Sequence, residues 1–314
     1  SNEILAYDLD SKHFTTILSD VDGLDGPADL AFDSKNNILY VSSIRNSKII
    51  AYDLQKDTSY EININSGDGI LQRPQGLLIH DNSLFIANTN NNEILKYDLD
   101  SHSLNIFIYD TGDLIRPGGI AFGPDSYLYV INKKNNQVYR YDVDEEQLLD
   151  VFTEKPLSSD KNPTTISLRS ITFSKDGKYL FASNPPGSNI LTYDVQNRKY
   201  IDDYFKKDYV LQYPTDLTLT PDGKYILVID YAQNIIIRFT VSGNFDQIFV
   251  EPGKYGLTEL SGIRFGPDGN LYVMGGTSNE MIKYDGIDGS YLGKYDDGGT
   301  YLGKLTENPL NSKY

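Results

Sequence analysis

The sequence has no cysteine and no tryptophan, and only two methionines and three histidines. Without cysteine there is no disulfide framework, no thiol nucleophile and no cysteine-based zinc site. A cysteine-free chain also cannot mispair in an oxidising space, so the composition is compatible with export. His13, His80 and His102 form no H-x-H or H-x-x-x-H pair, the spacings that place two imidazoles on one metal. Cations are scarce: 28 Lys and Arg stand against 44 Asp and Glu, for a formal charge of −16. That balance argues against a nucleic-acid binder, which needs cations to displace phosphate counterions, and against adsorption to anionic lipid. No apolar run approaches the ~18 residues of a membrane-spanning helix. No secretory-signal pattern opens the chain; Ser1-Asn2-Glu3 leads almost directly into a strand, as in a mature or trimmed chain. Asn162 is followed by Pro163, which blocks that glycosylation acceptor, and no G-x-S-x-G, P-loop or dinucleotide-binding fingerprint occurs.

What is abundant is tyrosine, at 25 residues, with 13 phenylalanines and many Gly, Asn and Asp clusters. Aromatic and β-branched residues favour strands, and those clusters favour short turns, so an all-β protein is expected. Leu84–Asp98 reads as a strand, a polar turn at Asn88–Asn92 and a second strand ending in Tyr-Asp. The landmark recurs at Tyr7, Tyr52, Tyr97, Tyr141, Tyr193, Phe239 and Tyr284, at intervals of 45, 45, 44, 52, 46 and 45 residues. The long interval holds a polar, Pro-containing insertion, Pro156–Thr165. Each period contains four short strands, and the first turn carries Lys175-Asp176-Gly177, Pro221-Asp222-Gly223 or Pro267-Asp268-Gly269, where Gly supplies a positive φ. Four antiparallel strands per ~45 residues is one blade of a β-propeller. Six inner strand pairs point to six blades. Seven is the alternative, and it would need Tyr301–Leu305 to help build another inner pair. The expected organisation is a single propeller domain over residues 1–314. Residues 1–18 would supply outer strands that close the ring, completing or covering the blade of Gly262–Asp285, and 296–314 would form a tail.

Ile86-Ala87-Asn88-Thr89-Asn90-Asn91-Asn92-Glu93-Ile94-Leu95-Lys96-Tyr97-Asp98 resembles the NHL-repeat signature V-A-D-T-G-N-N-R-I-x-x-F-D. Pro74-Gln75-Gly76-Leu77 and Pro117-Gly118-Gly119-Ile120-Ala121-Phe122 are similar to that family's P-x-G-I-A-x opening. The signature's Asp is Ser43, Asn88 and Asn132 in three copies and is kept at Asp230; its Arg is Lys48, Glu93 and Gln137. The resemblance implies a six-bladed propeller of the superfamily that includes gluconolactonase and virginiamycin B lyase. A lyase of that kind depends on channel histidines, which the sequence does not supply.

The repeated Asp8, Asp53, Asp98, Asp142, Asp194 and Asp285 occupy one place in every period, as turn-forming residues do. Departures from the repeat are therefore the better candidates. Loops leading into first strands and following second strands share one face, the mouth of a central channel. They carry Arg73, Arg116, Lys133, Lys134 and Arg169 on one side and Asp216, Asp230, Asp25 and Asp29 on the other. Of these, Arg73, Arg116, Lys133, Arg169, Asp216 and Asp230 are the expected ligand-binding set, suited to a small anionic or zwitterionic molecule gripped by Arg. Asp20-Val21-Asp22-Gly23-Leu24-Asp25-Gly26, with Asp at its first, third and sixth positions, is a candidate turn for Ca²⁺ or another divalent cation, though it lacks a bidentate Glu at a suitable distance. By resemblance to gluconolactonases, Asp25 before Gly26-Pro27 and Asp230 stand where metal ligands stand, with Thr215 in place of an expected Asn. Tyr at blade rims and Asn-rich turns would suit a glycan or protein surface. The leading expectation is a monomeric, exported or cell-surface binding module without catalysis or resident cofactor. The alternative is a divergent metal-dependent lactonase or hydrolase.

Overall fold

In the computed structural model, residues 2–8, 14–62, 71–109, 112–153, 167–201, 204–205, 209–253, 258–275 and 281–295 are described. The fold is all-β: a β-propeller of six four-stranded antiparallel blades, each running from its first to its fourth strand in chain order. The chain divides into two compact units, with the break between Ile120 and Ala121.

The first unit opens with a two-stranded sheet, β1 (Ile4–Tyr7) and β2 (Phe14–Leu18). Blade one follows as β3 (Pro27–Asp33), β4 (Ile38–Ser43), β5 (Lys48–Asp53) and β6 (Thr58–Glu61). Blade two is β7 (Pro74–His80), β8 (Ser83–Asn88), β9 (Glu93–Asp98) and β10 (Leu104–Ile108). The third sheet, counted with the second unit except for its first few residues, is β11 (Pro117–Phe122), β12 (Leu128–Asn132), β13 (Gln137–Asp142) and β14 (Gln147–Val151). Blade four is β15 (Ile171–Phe173), β16 (Tyr179–Asn184), β17 (Asn189–Asp194) and β18 (Lys199–Ile201). Blade five is β19 (Pro214–Leu219), β20 (Tyr225–Asp230), β21 (Ile235–Thr240) and β22 (Phe245–Val250). Blade six is β23 (Leu260–Phe265), β24 (Leu271–Gly275), β25 (Met281–Tyr284) and β26 (Tyr291–Tyr295).

Blade six therefore has four strands of its own and needs none from the amino terminus. The β1–β2 pair instead forms a separate sheet, whose Ile4 and Leu18 pack with Leu39, Val41, Ile50 and Tyr52 of blade one. The insertion Pro156–Thr165, His13 and the residues from Tyr301 onward lie outside the described residues.

Strand position explains the sequence pattern. Second strands lie inside their sheet and between neighbouring sheets, so every residue of Ser83–Asn88 and Leu128–Asn132 is buried and the apolar runs are nearly continuous. Fourth strands lie at the rim; Leu148, Leu149 and Val151 of β14 are exposed. The core sits between consecutive sheets: Tyr40, Ile49, Leu84 and Ile86 between blades one and two, and Tyr129, Phe152, Leu180 and Tyr193 between blades three and four. Each fully buried Leu or Ile there contributes roughly 1.5–3 kcal/mol.

The repeated Asp residues hold turns, as their placement implied. Oδ1 of Asp53 accepts the N–H groups of Gln55 and Lys56, that of Asp142 those of Asp144 and Glu145, and that of Asp285 those of Ile287 and Asp288. The residue before the Tyr or Phe landmark has a second recurring role. Lys96 lies over Phe85, Arg140 over Phe152, Arg238 over Tyr225 and Lys283 over Tyr272, so a cation caps an aromatic neighbour in four blades.

Candidate ligand-binding face

The segment before each first strand and the turn after each second strand lie at the same end of a blade, because the strands alternate in direction. The residue leading into the first strand is left-handed in four blades: Gly26 (φ 68°), Arg73 (57°), Arg116 (54°) and Glu259 (55°). For a residue with a Cβ this conformation costs roughly 1–2 kcal/mol, a penalty glycine escapes. In the first unit these backbones are anchored. The Arg73 N–H donates to Ser47 Oγ at 3.1 Å, and the Arg116 N–H to Asn92 Oδ1 at 2.9 Å. Both acceptors belong to the second turn of the preceding blade. Both arginines are exposed, and neither guanidinium has a partner among the described residues.

In the second unit, Lys133 and Lys134 are exposed in the turn after β12, and Arg169 is exposed just before β15 with its N–H on the Ser183 carbonyl at 3.2 Å. Asp216 is a three-blade clasp. Its Oδ1 accepts the Leu217 N–H and the Ser170 hydroxyl, each at 3.0 Å. Its Oδ2 accepts from Arg264 Nη1 at 2.9 Å and lies 3.4 Å from the Ile263 nitrogen. In the first unit the register-equivalent Asp29 does the same work between two blades, accepting the Leu30 N–H at 2.9 Å and the Leu77 N–H at 3.0 Å. Sequence reasoning missed Arg264. The signal was available: its position holds Ala31, Leu78, Ala121, Thr172 and Thr218 in the other blades, and a cation only here.

Asp230 is fully buried, and its carboxylate is already occupied. Oδ2 accepts the Gln212 N–H at 2.6 Å and Gln233 Nε2 at 2.8 Å, while Oδ1 accepts the N–H groups of Tyr213 at 3.1 Å and Gln233 at 3.3 Å. Asn88 and Asn184 make the same clamp in their blades, accepting the Gln72 N–H at 2.6 Å and the Ser167 N–H at 3.0 Å. Asp25 is half-exposed, 3.5 Å from Arg45 Nη1. Asp20–Asp22 forms a short 3₁₀ turn closed by Gly23 (φ 85°). Asp22 accepts the Ser59 hydroxyl on Oδ1 at 2.6 Å and the Ser19 N–H on Oδ2 at 2.9 Å. The Ser59 hydrogen bond is the main cause of its carboxyl lying below the usual range.

A hard cation needs several oxygens with open lone pairs converging on one point. The Asp230 carboxylate does not fit that requirement, since four N–H donors fill it, and Asp22 is tied to Ser59 and Ser19. Among the described residues no group of three or more His, Asp or Glu is placed to hold a metal ion. In the first unit, exposed Arg73 and Arg116 sit on anchored backbones and Asp29 joins two blades; in the second, Asp216 joins three blades.

The comparisons with known proteins accord with this architecture. Solved structures similar to the chain include virginiamycin B lyase from Staphylococcus aureus, at 15% identity over 90% of this chain and 88% of that one, with a TM-score of 0.71. A streptogramin B lyase matches at 18% identity over 87% and 83%, with a TM-score of 0.66. A Lactobacillus plantarum protein matches at 19% identity over 93% and 91%, with a TM-score of 0.67. At these identities the likeness concerns the fold, and there the expected relation to virginiamycin B lyase holds. No curated protein sequence matches the chain. The family model described as lactonase, 7-bladed beta-propeller, matches residues 77–249, more than half of the chain. That match runs from blade two to blade five and so leaves the blade count to the structure, which has six four-stranded sheets. By this match the chain belongs to the lactonase family of β-propellers.

Proposed function

We propose that the protein acts by recognition rather than by chemistry, as an exported or cell-surface module that takes a small carboxylate-bearing or zwitterionic ligand on the arginine-bearing face. The observation that carries this reading is the pair Arg73 and Arg116. Each occupies a left-handed backbone position where glycine would sit without strain, each backbone is anchored, and each guanidinium is exposed. Strain retained at such positions is a reason to look for a role of the side chain. Two guanidinium groups in the same register on consecutive blades suit a ligand with two anionic groups, each gripped by a planar fork of donors. Glutamate, citrate and inorganic phosphate are the test ligands, titrated calorimetrically at low ionic strength. At least one should bind, and Arg116→Ala should weaken it by about tenfold or more, the worth of a charge-assisted hydrogen bond. Absence of binding by all three, or unchanged affinity in the variant, would overturn the reading.

Family membership favours a second reading, a metal-dependent lactonase with Asp230 as one candidate ligand. It requires the Asp230 carboxylate to give up the hydrogen bonds described above. Metal analysis of the purified protein together with hydrolysis of δ-gluconolactone tests it, and a stoichiometric divalent ion with turnover would establish it over binding alone.

A further inference from the structure

The turns joining first to second strands and third to fourth strands lie at the other end of the blades from the arginine-bearing face. There, within the second unit, a cavity of about 410 Å³ opens between blades four and five. That is within the range of about 300–1,000 Å³ that small-molecule sites occupy. Its lining includes Lys175, Asp176, Tyr179, Tyr204, Gly223 and Ser242.

Part of the lining is aromatic. The Tyr179 and Tyr204 rings stand 5.0 Å apart at 54°, and the Tyr204 hydroxyl is fixed by donating to the Val241 carbonyl at 2.8 Å. The rest is polar. Asp176 Oδ1 accepts the Ser174 hydroxyl at 2.6 Å and the Lys178 N–H at 3.0 Å, while Oδ2 has no partner among the described residues. Lys175 Nζ donates to the Pro221 carbonyl at 3.0 Å and keeps two further N–H groups. Its stem lies against Gly223, where an added Cβ would come within 2.7 Å. At the previous seam Pro124 packs against Gly177 in the same way, within 2.6 Å of an added Cβ. Of these two seams, the second is the one where the packing residue brings a charge.

These groups narrow the ligand class. A cation would meet the Lys175 ammonium, and an anion would meet the Asp176 carboxylate. A wholly apolar molecule would strip water from both charges without replacing it, which is costly. What fits is a neutral molecule with one apolar face and several hydroxyls. We propose that this cavity binds a saccharide unit, its ring face against Tyr204 and Tyr179, two adjacent hydroxyls donating to the Asp176 carboxylate, and an oxygen accepting from Lys175 Nζ.

Saturation-transfer-difference NMR of the whole chain with the methyl glycosides of glucose, mannose, galactose and N-acetylglucosamine tests the site. At least one glycoside should show transfer with ring protons strongest, as contact with tyrosine faces requires. Asp176→Asn keeps an acceptor for the turn and should weaken binding by about tenfold. Ser242→Trp, at an exposed position, should fill the cavity and abolish the signal. Arg116→Ala should bind the glycoside as the unaltered chain does, so this site and the anion site fail independently. No transfer with any of the four glycosides, or a signal that survives in both Asp176→Asn and Ser242→Trp, would overturn the proposal.

Discussion

Replacing Asp230 separates a structural carboxylate from a metal ligand. Its four donors are not equivalent. Gln233 Nε2 also reaches the Val210 carbonyl at 3.2 Å and keeps that bond if Asp230 is lost. The Gln233 N–H, at 3.3 Å, is the longest of the four contacts. The N–H groups of Gln212 and Tyr213 would lose their acceptor outright. Leaving a buried donor unmade costs about 1–3 kcal/mol. Both residues are exposed on the side-chain side, so water recovers part of that loss, and Asp230→Ala should destabilise by about 3 kcal/mol. Asp230→Asn should cost about 1 kcal/mol, because an amide oxygen retains one acceptor and Asn88 and Asn184 already perform this role elsewhere. Equilibrium urea unfolding followed by tyrosine fluorescence measures both, since the chain has no tryptophan. The ordering should be the same in EDTA and in millimolar calcium. An Asp230→Ala variant as stable as the unaltered chain in EDTA, or calcium stabilisation that disappears with Asp230, would rule out a purely structural carboxylate.

The Asp216–Arg264 pair, with both side chains mostly buried, should show asymmetric losses. Asp216→Ala strands a buried guanidinium and should cost about 3 kcal/mol, whereas Arg264→Ala leaves Asp216 its hydroxyl and backbone donors and should cost less; a double-mutant cycle by urea unfolding reads the coupling. Burial pushes the Asp268 carboxyl up, but hydrogen bonds from Asn270, Lys283 and Tyr272 outweigh it and hold the group at about 2. Because this folded value lies below that of the unfolded chain, the stabilisation is complete above about pH 4 and is lost as pH falls toward 2. Lys283→Met should raise the Asp268 pKa and bring acid unfolding to higher pH, measured by carboxyl NMR titration and acid melts. An unchanged acid midpoint would count against the Lys283 contact.

The parts of the fold that repeat were legible in the sequence. Tyr-Asp spacing set the repeat length, because Asp53 and Asp285 close equivalent turns through two backbone N–H groups each. The count of six came from the inner strand pairs, the spacing having a seventh landmark at Tyr7. Buried second strands announced themselves as unbroken apolar runs, as at Leu128–Asn132. Strand ends were less legible. In blade one the fourth strand starts at Thr58, because pairing begins as soon as the turn closes, with Thr58 opposite Asp53. The amino-terminal pair was expected to serve the last blade, but that blade is complete with β26, and apolar residues of β1 and β2 meet blade one.

The roles of the candidate residues were not legible. Asp216 and Asp230 stand where the register placed them, yet spacing does not reveal that neighbouring N–H groups have already claimed their oxygens. Arg264 was missed because its partner comes from another blade, 48 residues away. The left-handed backbone at Arg73 and Arg116 has no sequence signature, since only glycine advertises that conformation.

Arg73→Gly/Arg116→Gly is the variant that isolates the proposed anion site. Glycine removes the guanidinium groups and the backbone strain together. The strain relieved, roughly 1–2 kcal/mol per site, should at least offset the entropy glycine adds to the unfolded chain, so stability should not fall. Calorimetric titration of glutamate, citrate and phosphate into this variant and the unaltered chain, each with and without EDTA, is the direct measurement. Binding by the unaltered chain should be unaffected by EDTA and should fall at least about tenfold in the variant. Binding that persists in the variant, or that EDTA abolishes in the unaltered chain, would contradict it.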